Sequence, residues 1–292
     1  LHAEAGLLQD RGDDEAHVLV VVDDQDGPLP RRSGPRRHGA HAPTVGALRP
    51  VPHLELARLH DLVEQRLVLG VERRAVDDDV VDRSNLQRQI LHTDADIGTP
   101  KVDSAAAALS ALNPRTRIDA VRERVGSANV ERLLDGVDVV IDGADNFPAR
   151  YLLSDACVKL GKPLVHGAVH RFEGQASVFD AGRRRGIAPC YRCLFPEPPS
   201  PENAPNCAEA GVLGVLPGVI GLIQATEAIK LILEIGEPLT GRLLQFDALS
   251  MRFRGTRLSP DPDCAVCAPG RMFPGYIDYA AFCAGDSGAT QP

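Results

Sequence analysis

Hydrophobic and polar positions change rhythm along the chain, and the changes mark its elements. Val137-Asp138-Val139-Val140-Ile141-Asp142 is the clearest strand, an apolar run of the kind expected in a parallel sheet. Residues 163–168 and then 174–179 read as further strands, and residues 117–125 alternate as a strand does. Val102, Ala105, Ala106, Leu109 and Leu112 keep helical spacing, which predicts a helix from about Lys101 to Leu112, stopped by Asn113-Pro114. Further helices are predicted over 129–134, 148–160 and from the glycine-rich stretch 211–221 to about residue 235. Residues 242–246 and 251–258 read as a closing strand pair with Asp247 at the turn. Strands alternating with helices give an α/β fold, Rossmann-like, with a mostly parallel sheet flanked by helices.

The rhythm is absent from the start of the chain. Six of the nine histidines lie before residue 61, and residues 23–52 show neither period and are dense in breakers. Val18-Leu19-Val20-Val21-Val22 fits a buried strand and residues 54–69 a loose helix, but 1–75 as a whole reads as an atypical, poorly structured or mis-framed segment.

Composition narrows the class. At 43% hydrophobic and 25% charged residues the sequence suits a soluble globular protein with a real core. The longest apolar segment, 212–233, is interrupted by Gly214, Pro217, Gly218, Gly221, Gln224, Glu227 and Lys230, so no membrane span is expected. A formal charge of −8 argues against a general nucleic-acid binder. Residues 1–9 carry no basic stretch of a signal peptide, and the cysteine usage suits a reducing cytoplasm.

The cysteines carry the strongest chemical signal. Cys190-Tyr191-Arg192-Cys193 and Cys264-Ala265-Val266-Cys267 are two Cys-x-x-Cys knuckles. Four thiolates are what a structural Zn2+ takes, and the two-residue spacer lets both sulfurs of a knuckle face one ion. A single pair would also suit redox chemistry; two separated pairs favour zinc as a staple near the C-terminus. Cys157 sits among helical apolar neighbours and reads as core, and His166 and His170 read as structural. Asp77 ends a short strand, where an α/β nucleotide fold reads ribose hydroxyls.

Six motifs occur in order: Ser84-Asn85-Leu86-Gln87-Arg88-Gln89, Gly98-x-x-Lys101, Gly143-Ala144-Asp145-Asn146, Cys190-Tyr191-Arg192-Cys193, Cys207-Ala208-Glu209-Ala210-Gly211 and Cys264-x-x-Cys267. On these, residues 76–270 resemble the ThiF/MoeB/HesA family of ubiquitin-activating-enzyme-like adenylyltransferases, nearest its molybdopterin-synthase branch. The resemblance implies ATP- and Mg2+-dependent adenylation of the C-terminal carboxylate of a small ubiquitin-like sulfur carrier ending in Gly-Gly. It also implies a homodimer and, with no rhodanese domain after the linker-like tail 271–292, a separate sulfur donor. It assigns Asp77 to the ribose with Asp79 shaping the same strand tip. Asn85, Arg88 and Lys101 would hold the triphosphate, and Asp145, beside Asn146, would hold Mg2+ or orient the attacking carboxylate. Cys207 would take the activated carrier as a thioester or feed persulfide sulfur, a role suited to a thiolate near a helix start.

One part of the family pattern is missing. Its Gly-x-Gly-Gly-Leu-Gly phosphate loop should precede Asp77 by about two dozen residues, where residues 51–60 contain no glycine. Poor ATP binding, or none, is therefore expected of this chain. The alternative function is a catalytically impaired, zinc-stapled module for carrier binding and dimerisation.

Overall fold

Backbone pairing turns the apolar runs into strands of one sheet. The computed structural model describes residues 18–24, 71–199 and 211–284. Among these the strands are β1 (Val18–Asp24), β2 (Val71–Val76), β3 (Arg117–Val121), β4 (Val139–Gly143), β5 (Leu164–His170), β6 (Glu173–Phe179), β7 (Arg242–Asp247) and β8 (Arg252–Arg257). Their order across the sheet is β3-β2-β1-β4-β5-β6-β7-β8. The α-helices are α1 (Lys101–Leu112), α2 (Val130–Leu133), α3 (Phe147–Leu160), α4 (Tyr191–Leu194), α5 (Leu216–Leu233) and α6 (Tyr279–Ala284). The expected helix over 54–69 lies outside the described residues.

The α/β architecture is as expected, but the balance of strand directions is not. Only β2–β3 and β4–β5 pair in parallel. The other pairings are antiparallel. The physical reason lies partly in the connections. Arg171-Phe172 links β5 to β6, with Arg171 at φ 52°, and residues 248–251 link β7 to β8, with Met251 at φ 53°. Turns this short can only return the chain antiparallel, whereas a parallel crossover needs a dozen residues or more. β1, in the segment expected to be poorly structured, inserts antiparallel between β2 and β4.

Helices cover the middle of the sheet on both faces. Leu152, Leu153 and Ala156 of α3 join Val140, Leu164 and Phe179 in one buried cluster. Ala228 and Ile232 of α5 join Val139, Val165, Ala176 and Val178 in another. Each fully buried Val or Leu contributes about 1.5–3 kcal/mol, so these clusters fix where the strand ends stand. α5 has a mean hydropathy of 1.5 over 18 residues, long and apolar enough by length and composition alone to cross a membrane. It packs instead on β4, β5 and β6. The helix reaches the sheet closely because Gly167 has no side chain; a Cβ there would meet Gln224 at 2.3 Å.

Local signals set the ends of α3. The Asn146 side chain accepts from Ala149 N, Pro148 occupies the first turn, and Gly161 closes the helix at φ 67°. The described part of the expected linker tail folds back onto this helix. Tyr279 Oη donates to Asp155 Oδ2 at 2.8 Å, and Phe282 packs edge-on against Tyr151 with centroids 5.2 Å apart. At the far edge, all six residues of β8 are exposed, among them Arg252, Arg254, Arg257 and Phe253.

Candidate active site

A cavity of about 1730 Å³ opens at the C-terminal ends of the parallel strands β4 and β5. Open α/β sheets present ligands at that position. Its wall includes the 143–146 turn after β4, His170 and Gln175 from the β5–β6 hairpin, Gln224 of α5 and, from the tail, Cys283. Burial pushes the Cys283 thiol up to about 11, so it stays protonated near neutrality.

Of the residues singled out in the sequence, Arg88, Asp145 and Asn146 line this cavity. Arg88 donates from Nη1 to the Ser84 carbonyl at 3.2 Å. Asn146 caps α3, so its side-chain oxygen is engaged by the helix. Asp77, Asp79 and Lys101 form a separate group that the described cavity wall does not include. Lys101 is 1% exposed and its Nζ lies 2.6 Å from Asp79 Oδ2. Asp77 is equally buried; Oδ1 accepts from Asp79 N at 2.9 Å, while Oδ2 has no hydrogen-bond partner among the described residues. Burial pushes the Asp77 carboxyl up to about 6, against the opposing Asp79 N–H and Lys101 charge. A buried acceptor without a donor is suited to a hydroxyl-bearing ligand. Asn85 is buried and serves the capping box of a short 3-10 turn, accepting from Asp82 N. Cys207 lies outside the described residues.

A buried charge cluster beside the cavity went unread in the sequence. Asp142 and His166 are 0% exposed, and Arg150 is 8% exposed. His166 Nδ1 lies 2.8 Å from Asp142 Oδ2. Burial lowers the His166 pKa, so the ring is neutral and donates Nδ1–H to the carboxylate. Burial alone would raise Asp142, but the Arg150 charge and the His166 hydrogen bond outweigh it and hold the carboxyl below its usual value. Gln224 Nε2 donates to the carbonyls of Asp142 at 2.7 Å and Val165 at 3.1 Å, fastening α5 to the ends of β4 and β5. A hint was available: Arg150 falls in the first turn of a helix, where a cation opposes the helix dipole.

The two cysteine knuckles come together away from the cavity. Sγ–Sγ distances are 3.8 Å for Cys190–Cys193, 3.6 Å for Cys190–Cys264 and 3.3 Å for Cys193–Cys267. All four sulfurs lie within 4.8 Å of one another, three on buried residues. Tetrahedral bonds of about 2.3 Å to a central ion put sulfurs about 3.8 Å apart, so the cluster fits four-thiolate coordination. Mutual thiol hydrogen bonds lower Cys193 and Cys264 and raise Cys190 and Cys267, so the four titrate as one group. Behind the cluster, Arg192 pairs with Asp155 through Nε and Nη2, both at 2.9 Å, while its guanidinium stacks over Tyr151 and Phe282.

The fold and cavity define an α/β protein with helices on both faces of one mixed sheet and a cleft at its strand ends. The chain belongs to the ThiF family, whose pattern matches residues 69–266 and begins just ahead of β2. It is 54% identical over 224 residues to the SAMP-activating enzyme E1 of Haloferax volcanii, covering 76% of this chain and 81% of that one. It is 49% identical over 224 residues to the sulfur carrier protein adenylyltransferase of Thermus thermophilus, covering 76% and 83%. Against the adenylyltransferase and sulfurtransferase MOCS3 of Drosophila virilis, identity is 46% across 71% of this chain but 46% of the relative. Among solved structures, E. coli MccB with ATP superposes at a TM-score of 0.56 and 18% identity, covering 66% of this chain and 58% of that one. That likeness is one of fold.

Proposed function

We propose that this chain is an adenylyltransferase that uses ATP to activate the C-terminal glycine carboxylate of a small ubiquitin-like sulfur carrier protein. The observation that carries the reading is the 54% identity to a carrier-activating relative along 81% of its length. A carboxylate oxygen attacks the α-phosphorus, a carboxyl–phosphate bond forms, and pyrophosphate leaves with its electron pair. Catalysis of this kind is positioning and charge stabilisation rather than covalent chemistry by the protein. Arg88 offers the triphosphate a planar, permanently charged fork. Asp145, on the cavity wall, holds Mg2+ or orients the carrier's carboxylate. Mg2+ supplies neutralisation of phosphate charge and prefers such oxygen donors. Asp77 and Asn85 serve the ribose and phosphates, and Lys101 must leave Asp79 to reach them. Cys207 takes the activated carrier or relays sulfur.

Zn2+ is the ion for Cys190, Cys193, Cys264 and Cys267; four thiolates leave it no open position, so its role is structural. The product enters sulfur transfer for molybdopterin or a related cofactor, with sulfur from a separate donor protein, in the cytoplasm. The exposed face of α5, with Leu222 73% exposed and the N-cap residue Val215 69% exposed, supports a homodimer.

The glycine-free stretch at 51–60 favours one second reading, a carrier-binding and dimerisation module with impaired catalysis. ATP–pyrophosphate exchange with a carrier ending in Gly-Gly separates the two. Carrier-dependent exchange is expected; none at saturating carrier and Mg2+ would leave the second reading standing.

A further inference from the structure

Arg150 occupies a place where a cation is disfavoured twice. It lies in the first turn of α3, near the positive end of the helix dipole, and it is almost fully buried. A charge persists there only when specific partners compensate it. Nε lies 3.2 Å from Asp142 Oδ2, and Nη2 donates to the Ala144 carbonyl. Asp142 Oδ1 in turn accepts from Ala144 N at 3.0 Å. The ion pair therefore grips Ala144 at both ends, the carboxylate taking its N–H and the guanidinium its C=O. The next residue is Asp145, whose charge also acts on Arg150.

A third contact leads elsewhere. Tyr191 packs on His166 with centroids 5.3 Å apart, and the His166 ring holds the Asp142 carboxylate that pairs with Arg150. Tyr191 is 1% exposed and lies between Cys190 and Cys193 as the first residue of α4. It is also wedged against Tyr151 at 5.1 Å and Phe179 at 5.8 Å, centroid to centroid. An unbroken set of packed and hydrogen-bonded groups thus runs from the knuckle to the turn that carries Asp145.

We infer that Arg150 is a positioning residue that fixes the 143–146 turn and, through Tyr191, makes the order of that turn depend on the cysteine cluster. Its kinetic consequence rests on the adenylation reading; its structural consequence does not. Lysine keeps the charge but lacks the planar fork that reaches Asp142 and the Ala144 carbonyl together.

The test is hydrogen–deuterium exchange on the full chain, comparing wild type, R150K, D142N and wild type stripped of metal by a chelator. Amides 144–146 are expected to exchange about tenfold faster in R150K and about threefold faster in D142N, with metal content unchanged. Wild-type exchange at 144–146 in both variants overturns the inference. D142N keeps the shape of the side chain and removes only its charge, so it decides the question alone if R150K does not fold. Chelation is expected to loosen 144–146 as well as 190–193, and loosening confined to the knuckle overturns the coupling. In pyrophosphate exchange, R150K is expected to lower kcat about tenfold with KM for ATP within about twofold. If wild type shows no such exchange, the adenylation reading falls while the deuterium result still decides the role of Arg150.

Discussion

The cysteine cluster and the residues expected to hold nucleotide differ in how they are satisfied. The cluster brings together four donors of one kind, all within 4.8 Å, and no other candidate ligand among the described residues joins them. The nucleotide residues are of mixed sign and partly complete one another: Lys101 is held by Asp79, Asn146 by its own helix. Identical donors cannot neutralise each other, so their convergence points outward to a cation. Mixed donors can, so their placement alone says less about a ligand.

The largest test of this contrast is removal of one sulfur. C264S is expected to lose bound zinc and about 4 kcal/mol of stability, which for a domain of this size lowers Tm by about 10 °C. Metal analysis and calorimetry check it; a variant that keeps both zinc and Tm would make the knuckles ordinary buried thiols.

Asp77 probes the other side. Burial raises its carboxyl to about 6 from 3.8, so the folded chain holds this proton more tightly than the unfolded chain. The associated stability is full below about pH 4 and is lost as pH rises through about 6. D77N removes this titration, so wild type should lose Tm relative to the variant between about pH 4 and 7. Parallel Tm–pH curves for the two would show that Asp77 is not strained by burial.

The smallest effect is expected at Asn146. N146A removes the α3 cap and should cost about 1 kcal/mol in a urea melt, with zinc retained. A loss of several kcal/mol would mean that the turn and the cluster share more than a cap.

Much of this was legible in the chain. The helix over Lys101–Leu112 carries its period and its Asn113-Pro114 stop in consecutive residues. The metal cluster was readable because each knuckle is local and its donors are alike. Strand direction was not, because periodicity reports burial and is blind to whether the chain returns by a hairpin. β6 looks like its parallel neighbours until the turn at Arg171 is seen, whereas the β7–β8 pair was readable from the turn at Asp247. The Asp142–His166–Arg150 cluster escaped for a related reason. Its members come from β4, β5 and α3, and only the fold makes them neighbours.

The edge strand β8 has a consequence for how these molecules behave at high concentration. An open sheet edge offers its free N–H and C=O groups to any strand that arrives, which is how native chains begin to aggregate. With Arg252, Arg254 and Arg257 spaced along it, a second copy of the same edge meets like charge before it can pair. That protection is electrostatic, so it weakens as salt shortens the screening length to about 3 Å near 1 M. Storage in strong brine removes the guard from this edge while leaving the core intact.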